Sequence, residues 1–477
     1  MAALWLFLSL FSLSEATKHS FTTFHDGRTL IGPVGVPFGF LKGGCYQLNV
    51  FDFHLESPEG AAEAGFLLHR FENDASFQQY MEVLRADPTK CSFSEFASDL
   101  DSTDDVFTRV DDEFSNNGSI DSAEHGIFLS MATHKNGTAQ IEYTFQPGEE
   151  GLYYLIYQVC PAHGRVHSSF ELDFHFLNYD SMGNETYLTA GEMKLPLIFF
   201  FFAVSYLICF VTWFTNIRGI EKGGPGHFEA QGAKVYRIHH LMSVLLLVKF
   251  LSVFFESLRY HAIRVYGHAE VWSFLYYTFA FIKGTFLFTV LLLIGTGWSF
   301  VKPFLNEREK KMIMVVLGLQ VINNIALTVL SQETEGESDY SKWSAILHLV
   351  DVLCCCAVLI PIVWQVNALE KSMGNEEVDE EEREMALETG EKGEILSKLQ
   401  LFRSFYLLVV GYIYATRVII YLFVSMLDYE HLWLQYFVVE LITLSFYVVV
   451  GIMFRPMAEN PYLSIKKNDD DEGIALT

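Results

Sequence analysis

The sequence predicts a bundle of seven transmembrane helices that follows an all-β lumenal sandwich domain. The composition is 51% hydrophobic with a mean hydropathy of +0.24, which is more apolar than ordinary soluble proteins, whose apolar share is roughly 45–50% even with Gly counted. The apolar residues concentrate after residue 193. Before that point, short segments alternate between apolar and polar residues, as half-buried strands do.

The membrane half contains seven apolar runs, each about long enough to cross a bilayer, which takes roughly 20 residues. They cover about 195–215, 237–257, 272–300, 312–330, 343–367, 402–427 and 432–454. With a lumenal amino terminus, the cytosolic segments hold 16 Lys and Arg residues against 3 in the lumenal loops. Since positive residues favour the cytosolic side of a membrane, this count supports the orientation.

The amino terminus predicts a cleaved signal peptide over residues 1–16. Its apolar stretch is too short for a membrane span, and Ser14 and Ala16 are small residues that suit signal peptidase. We therefore expect residues 17–193 to form a lumenal domain, residues 194–457 the membrane domain and residues 458–477 a cytosolic tail.

Four segments of the lumenal half predict strands of an antiparallel sandwich: Tyr46–His54, Ala139–Phe145, Tyr153–Val159 and Ser169–Phe176. Three glycosylation sequons fall in the same half, at Asn117, Asn136 and Asn184. Their clustering behind a signal peptide agrees with a lumenal location.

Three cysteines occur in the lumenal half: Cys45, Cys91 and Cys160. An oxidising lumen favours one disulfide and one leftover thiol, and spacing alone leaves all three pairings open. Cys209 and Cys354–Cys356 lie in apolar runs, where small buried packing residues are expected.

Charged residues inside the apolar runs are the most informative positions, because each costs roughly 2.5–3.5 kcal/mol on insertion scales. At a rise of about 1.5 Å per residue, five of them reach a similar depth, about 12–17 Å below the lumenal edge. These five are Lys249, Lys283, Asp351, Arg417 and Glu440. Two interpretations stay open: an ion-pair network that fixes helix packing, or the lining of a cavity in which an anionic lipid headgroup offsets the surplus positive charge.

The remaining motifs exclude several classes of protein. The net charge of −26 argues against a nucleic-acid partner, and no metalloprotease, serine-hydrolase or phosphate-loop motif predicts an enzyme. The acidic loop 368–400 predicts a solvated segment, with a docking site for a basic partner as the alternative. In the tail, Tyr462 and Ile465 match the tetrapeptide that clathrin adaptors bind.

Several longer motifs resemble those of a known family. They are LTAGEMKLP (188–196), LIGTGWSFVKPFL (293–305), LVDVLCC (349–355), YIYATR (412–417) and FRPMAENPYL (454–463), with GFLLHRFENDASFQQYMEVLRADPTKC (65–91) and EGLYYLIYQVC (150–160) in the lumenal half. With these motifs the chain resembles the GOLD-domain seven-transmembrane proteins, also called the lung seven-transmembrane receptor family. It is most similar to the branch of orphan receptors 107 and 108.

The resemblance implies a GOLD-like β-sandwich, a disulfide between Cys91 and Cys160, and a free thiol at Cys45. It also implies residence in the Golgi or trans-Golgi network membrane, a role in vesicle trafficking and protein sorting, and a phospholipid bound in the helix bundle. No other cofactor and no metal is expected. An endosomal or plasma-membrane location is the alternative.

Three functions follow from the sequence, in order of preference. The first is a sorting protein whose lumenal domain binds cargo or a ligand, with a clathrin adaptor as its cytosolic partner. The second is a signalling receptor for a peptide or lipid ligand that couples to a G protein. The third is a channel or transporter that uses the charged layer.

Overall fold

A computed structural model gives the fold. The described residues are 19–56, 63–86, 108–110, 126–130, 138–160, 166–180, 182–222, 235–295 and 427–456, with helical pieces inside 311–326, 343–353 and 404–416. The signal peptide, the acidic loop and the tail predicted from the sequence lie outside these residues.

The β domain consists of two antiparallel sheets. The strands are β1 (His19–Asp26), β2 (Leu30–Ile31), β3 (Phe38–Phe40), β4 (Cys45–Glu56), β5 (Glu63–Phe71), β6 (Thr108–Val110), β7 (Gly126–Ser130), β8 (Ala139–Thr144), β9 (Gly151–Cys160), β10 (His167–Tyr179) and β11 (Glu185–Thr186). One sheet has the order β1-β10-β4-β8, with β11 beside β10. The other has the order β2-β9-β5-β7-β6, with β3 also beside β9.

The core between the two sheets is unusually aromatic. Alternate residues of β4 and β10 point inward, as the period of two in a strand requires. The rings of Phe40 and Phe145 stack 4.2 Å apart, and Phe66 meets Phe170 edge-on at 5.2 Å. Burial of each such ring stabilises the fold by about 1.5–3 kcal/mol. The predicted all-β sandwich is therefore confirmed.

All four predicted strands are present, and three of them are longer than predicted. The structure extends them to Cys45–Glu56, Gly151–Cys160 and His167–Tyr179, while the fourth, Ala139–Thr144, ends one residue early. Strand ends are least marked in sequence because pairing, rather than alternation, sets where they stop.

A helix that the strand pattern did not predict covers the outer face of the second sheet. This helix, α1 (Asp74–Ala86), buries Phe77, Met81 and Leu84 against β5 and β9. Their spacing of four and three residues puts them on one face. The Asn73 side chain accepts a hydrogen bond from the Ser76 backbone N–H at 2.9 Å, which caps the helix start. Strand β9 is thus buried on both faces.

The membrane domain is helical. Its described helices are α2 (Leu195–Lys222), α3 (Arg237–Tyr266), α4 (Glu270–Gly295), the short α5 (Leu407–Thr416) and α6 (Trp433–Met453). Among the described residues, four helical segments are long and apolar enough to span a membrane: Ala190–Glu221, Arg237–Tyr266, Glu270–Leu291 and Tyr429–Met453.

The second helix departs from its predicted bounds. The apolar run predicts an end near residue 257, but α3 continues for nine more residues and ends where Gly267 adopts a φ of 73°. The longer helix can form because its polar residues pack against neighbouring helices. Arg259, expected in a loop, instead lies within α3.

Candidate functional site

The β domain is bonded to one end of the helix bundle, here called the proximal end. The Asn178 amide donates to the backbone oxygens of Gly39 and Leu188 at 2.9 and 3.2 Å. The Thr189 hydroxyl accepts from the Gly39 backbone N–H at 2.8 Å. Arg264 of α3 forms an ion pair with Asp180, just after β10. These contacts fix the β domain relative to the helices.

An ion pair lies buried between α3 and α6. Lys249 Nζ donates to Glu440 Oε1 at 2.8 Å, and the two residues are only 2% and 9% exposed. Tyr206 of α2 donates its hydroxyl to Glu440 Oε2 at 3.0 Å. The Lys249 ammonium also lies 5.0 Å from the centre of the Tyr206 ring. One carboxylate therefore connects three helices.

A second group of charges continues from this pair towards the proximal end. Glu256 and Arg259 follow Lys249 on α3 at spacings of seven and ten residues, which puts them on neighbouring parts of one helix face. Lys283 of α4 interacts electrostatically with Glu256 and Glu440. The described charges therefore form a continuous track, which extends along α3 from the depth of Lys249 towards the proximal end.

Aromatic rings surround the proximal end of this track. The Arg259 guanidinium lies 5.4–5.5 Å from the rings of Tyr260, Tyr276 and Tyr277. Such cation–π contacts stabilise a cation by about 2 kcal/mol when water is excluded. They explain how Arg259 is tolerated inside a helix packed in the bundle.

The predicted layer is only partly within the described residues. Lys249, Lys283 and Glu440 belong to the track, while Asp351 and Arg417 lie outside the described part of the chain. The predicted layer did not include Glu256 and Arg259, which the structure places in the track. Both share the helix face of Lys249, which is the sequence signal that could have found them.

The two added members, Glu256 and Arg259, carry opposite charges. The described track therefore has three cations, Lys249, Lys283 and Arg259, and two carboxylates, Glu256 and Glu440, so one positive charge stays in surplus among these five groups. The nearby cavity of about 40 Å³ is lined by apolar residues such as Met242, Leu245 and Phe446. Within the described residues, this cavity is smaller than the roughly 300–1,000 Å³ of ligand pockets.

The other predicted sites are mostly outside the described residues. These are Asn117, Asn136, Cys91, Tyr462, Ile465 and the side chain of Cys160. Asn184 is exposed, as a glycosylation site must be. Cys45 carries a free thiol, and burial, together with the nearby Glu142 carboxylate, raises its pKa above the ordinary value.

A cleft opens at the proximal end, where the β domain meets the turn Tyr429–His431 before α6. Its volume is about 430 Å³. The lining residues come from three parts of the chain. The β domain supplies Arg70, Phe71, Glu72, Asn73 and Gly151, and the turn before α6 supplies Asp428, Tyr429, Glu430 and His431. No apolar run or strand pattern predicted this cleft.

The fold and the buried charges define a multi-pass helical membrane protein with an attached antiparallel β domain. The family described as "GOST, seven transmembrane domain" matches residues 194–461. A protein of Arabidopsis thaliana named "candidate G-protein coupled receptor 6" is 34% identical over 325 residues, which cover 68% of this chain and 69% of the relative.

The chain therefore belongs to the GOST seven-transmembrane family. The predicted family and fold class are confirmed, and with them the multi-pass location in a membrane.

Proposed function

We propose that this protein acts in vesicle trafficking and protein sorting in the Golgi or trans-Golgi network membrane. In this proposal residues 17–193 are lumenal, bind a ligand or cargo, and perform no catalysis. The observation that supports it best is the firm attachment of the β domain to the proximal ends of the helices. A domain attached in this way can report the presence of a ligand to the membrane helices.

The tail supplies the cytosolic part of the proposal. Tyr462 and Ile465 follow the family match by only a few residues, and an adaptor that binds them would recruit the protein into coated vesicles. The expected lipid partner is the surrounding bilayer, and a phospholipid in the bundle stays a prediction.

Proximity labelling at native expression tests this proposal. We expect labelled Golgi and coat proteins, and a loss of adaptor labelling in Tyr462→Ala but not in the control Ser464→Ala, which changes a variable position of the same tetrapeptide. Labelling confined to the plasma membrane, or identical adaptor labelling in both variants, would contradict the proposal.

A signalling receptor is the second candidate, favoured by the name of the Arabidopsis relative. Ligand-dependent nucleotide exchange on a G protein by the purified protein would support it over sorting. A flux assay in liposomes separates both from a channel or transporter, which alone predicts ion or solute movement.

A further inference from the structure

The cleft at the proximal end has the size of a small-molecule site. Its volume of about 430 Å³ falls within the roughly 300–1,000 Å³ of ligand pockets. Such pockets occur preferentially where two domains meet. This cleft lies between the β domain and the turn that leads into α6, so a ligand in it would contact both.

One wall of the cleft is formed by Arg70, a positively charged side chain that its neighbours hold in place. Arg70 is half-buried at the end of β5, and its Nη1 donates to the Gly148 backbone oxygen at 3.3 Å. Its side chain lies across Gly151, where an added Cβ would come within 2.5 Å of Nε. Gly151 therefore leaves the space that this arginine occupies.

No carboxylate of the described residues lies within 4.0 Å of the Arg70 guanidinium nitrogens. A guanidinium offers five N–H donors in a planar fork that matches a carboxylate. Among the described residues, the Gly148 oxygen is the one acceptor bonded to this fork, so the other donors can bind a ligand. The arginine thus has the chemistry of a carboxylate receptor.

The rim of the cleft is acidic. Asp428 and Glu430 are exposed on the side opposite Arg70, and Glu72 is exposed on the same side as Arg70. Tyr429, half-buried between the rim and the wall, donates its hydroxyl to Glu430 Oε1 at 3.1 Å. Phe71 and the Tyr429 ring supply apolar surface. The cleft therefore presents a single positive wall, an acidic rim and aromatic surface between them.

We propose that this cleft binds a small peptide-like zwitterion, about the size of a dipeptide, through both of its charged ends. The carboxylate is held by Arg70 in a bidentate pair, and the ammonium lies among Glu72, Asp428 and Glu430. A side chain packs against Phe71 and Tyr429. This inference rests on the proposed ligand-binding role of the β domain and names the class of its ligand.

Binding of the dipeptide Ala-Phe to the full-length protein in nanodiscs tests this site by calorimetry. We compare the free dipeptide with its C-terminal amide and its N-acetyl form. Loss of one charge-assisted hydrogen-bonded pair weakens binding by about tenfold to hundredfold, so both blocked probes should bind that much more weakly. Arg70→Gln should weaken the free dipeptide equally, whereas Arg85→Gln, at an exposed arginine at the end of α1, should leave it unchanged.

Three results would overturn the whole proposal, and a fourth, given last, would overturn the zwitterion. They are a Kd weaker than about 1 mM for Ala-Phe, equal binding of the amide and the free dipeptide, and unchanged binding in an Arg70→Gln protein whose melting temperature equals that of the wild type. If Arg70→Gln does not fold, Glu430→Gln at the exposed rim provides the same comparison against the N-acetyl probe. Equal binding of the N-acetyl form would point to the carboxyl terminus of a longer chain and overturn the zwitterion.

The binding experiment contains no trafficking readout. Dipeptide binding with unchanged sorting in cells that lack the protein would therefore support the site and contradict the sorting role. Normal adaptor recruitment without dipeptide binding would do the reverse.

Discussion

The β domain and the helix bundle both bury apolar side chains, but the bundle also buries a charged pair. The core between the sheets is made of apolar and aromatic residues, whereas the bundle buries the Lys249–Glu440 ion pair at its centre. The helices also expose large apolar side chains on their surface, where Leu197, Phe201 and Ile452 are 74%, 60% and 61% exposed. Water drives apolar groups inward in the β domain, but lipid gives no such drive in the bundle. Packing and polar contacts therefore hold the helices together.

Breaking the ion pair should produce the largest effect. Glu440→Gln removes the carboxylate charge that pairs with the buried Lys249 ammonium at 2.8 Å, and leaving one charge of a buried pair uncompensated costs about 3–5 kcal/mol. The double variant Lys249→Met with Glu440→Leu should recover most of this loss, because an apolar pair needs no hydration. Thermal unfolding in nanodiscs measures both, and a double variant as unstable as the single one would contradict the network as a packing device.

Truncating one ring in each region sharpens the comparison. Phe66→Ala, in the core between the sheets at 1% exposure, should cost about 3–4 kcal/mol through lost burial and the cavity left behind. Phe201→Ala, on the lipid-facing surface of α2, should cost less than about 1 kcal/mol because lipid replaces the ring contacts. The melting temperatures of the two variants test this difference. Equal decreases in melting temperature would mean that Phe201 packs against protein.

The smallest effect concerns pH and the β domain. Burial lowers the pKa of His69 from 6.5 to about 4, and its Nδ1 has no hydrogen-bond partner in the described residues. Below pH 6.5 only the unfolded state binds the proton readily. The free energy of unfolding should therefore fall as the pH drops through this window, by up to about 3 kcal/mol at pH 4.

Hydrogen exchange of β5, corrected for the intrinsic exchange rate at each pH, measures this loss in the full-length protein. His69→Gln should flatten the pH dependence between pH 6.5 and 4. A slope that is the same in the variant would assign the effect to another group.

The sequence predicted the elements better than their contacts. Alternation marked β4 and β10 because one face of each is buried, and apolar runs marked the membrane helices because lipid surrounds them. Helix α1 was missed although Phe77, Met81 and Leu84 follow helical spacing, because the segment is short and otherwise polar. Its sheet partners were needed to show what it covers.

The site shows the same limit. Helical rise placed Lys249 and Glu440 at one depth, and the structure shows them bonded. Helical rise alone could not show which two of the five charged residues are bonded, since the rotation of each helix about its axis depends on packing. The cleft was beyond prediction because Arg70 and Tyr429 are separated by most of the chain and meet only after both domains have folded.

The turn Tyr429–His431 lines the cleft and leads into α6, the helix that carries Glu440 of the ion pair. Glu440 lies eleven residues after Tyr429, about 16 Å along the helix axis at the usual rise. An α-helix resists compression, so an axial push at Tyr429 arrives at Glu440 with little loss. A shift of about 1 Å suffices to lengthen a hydrogen bond beyond its working range. The last helix thus connects the cleft directly to the buried carboxylate, and a displacement of the turn along the helix axis would act on that hydrogen bond.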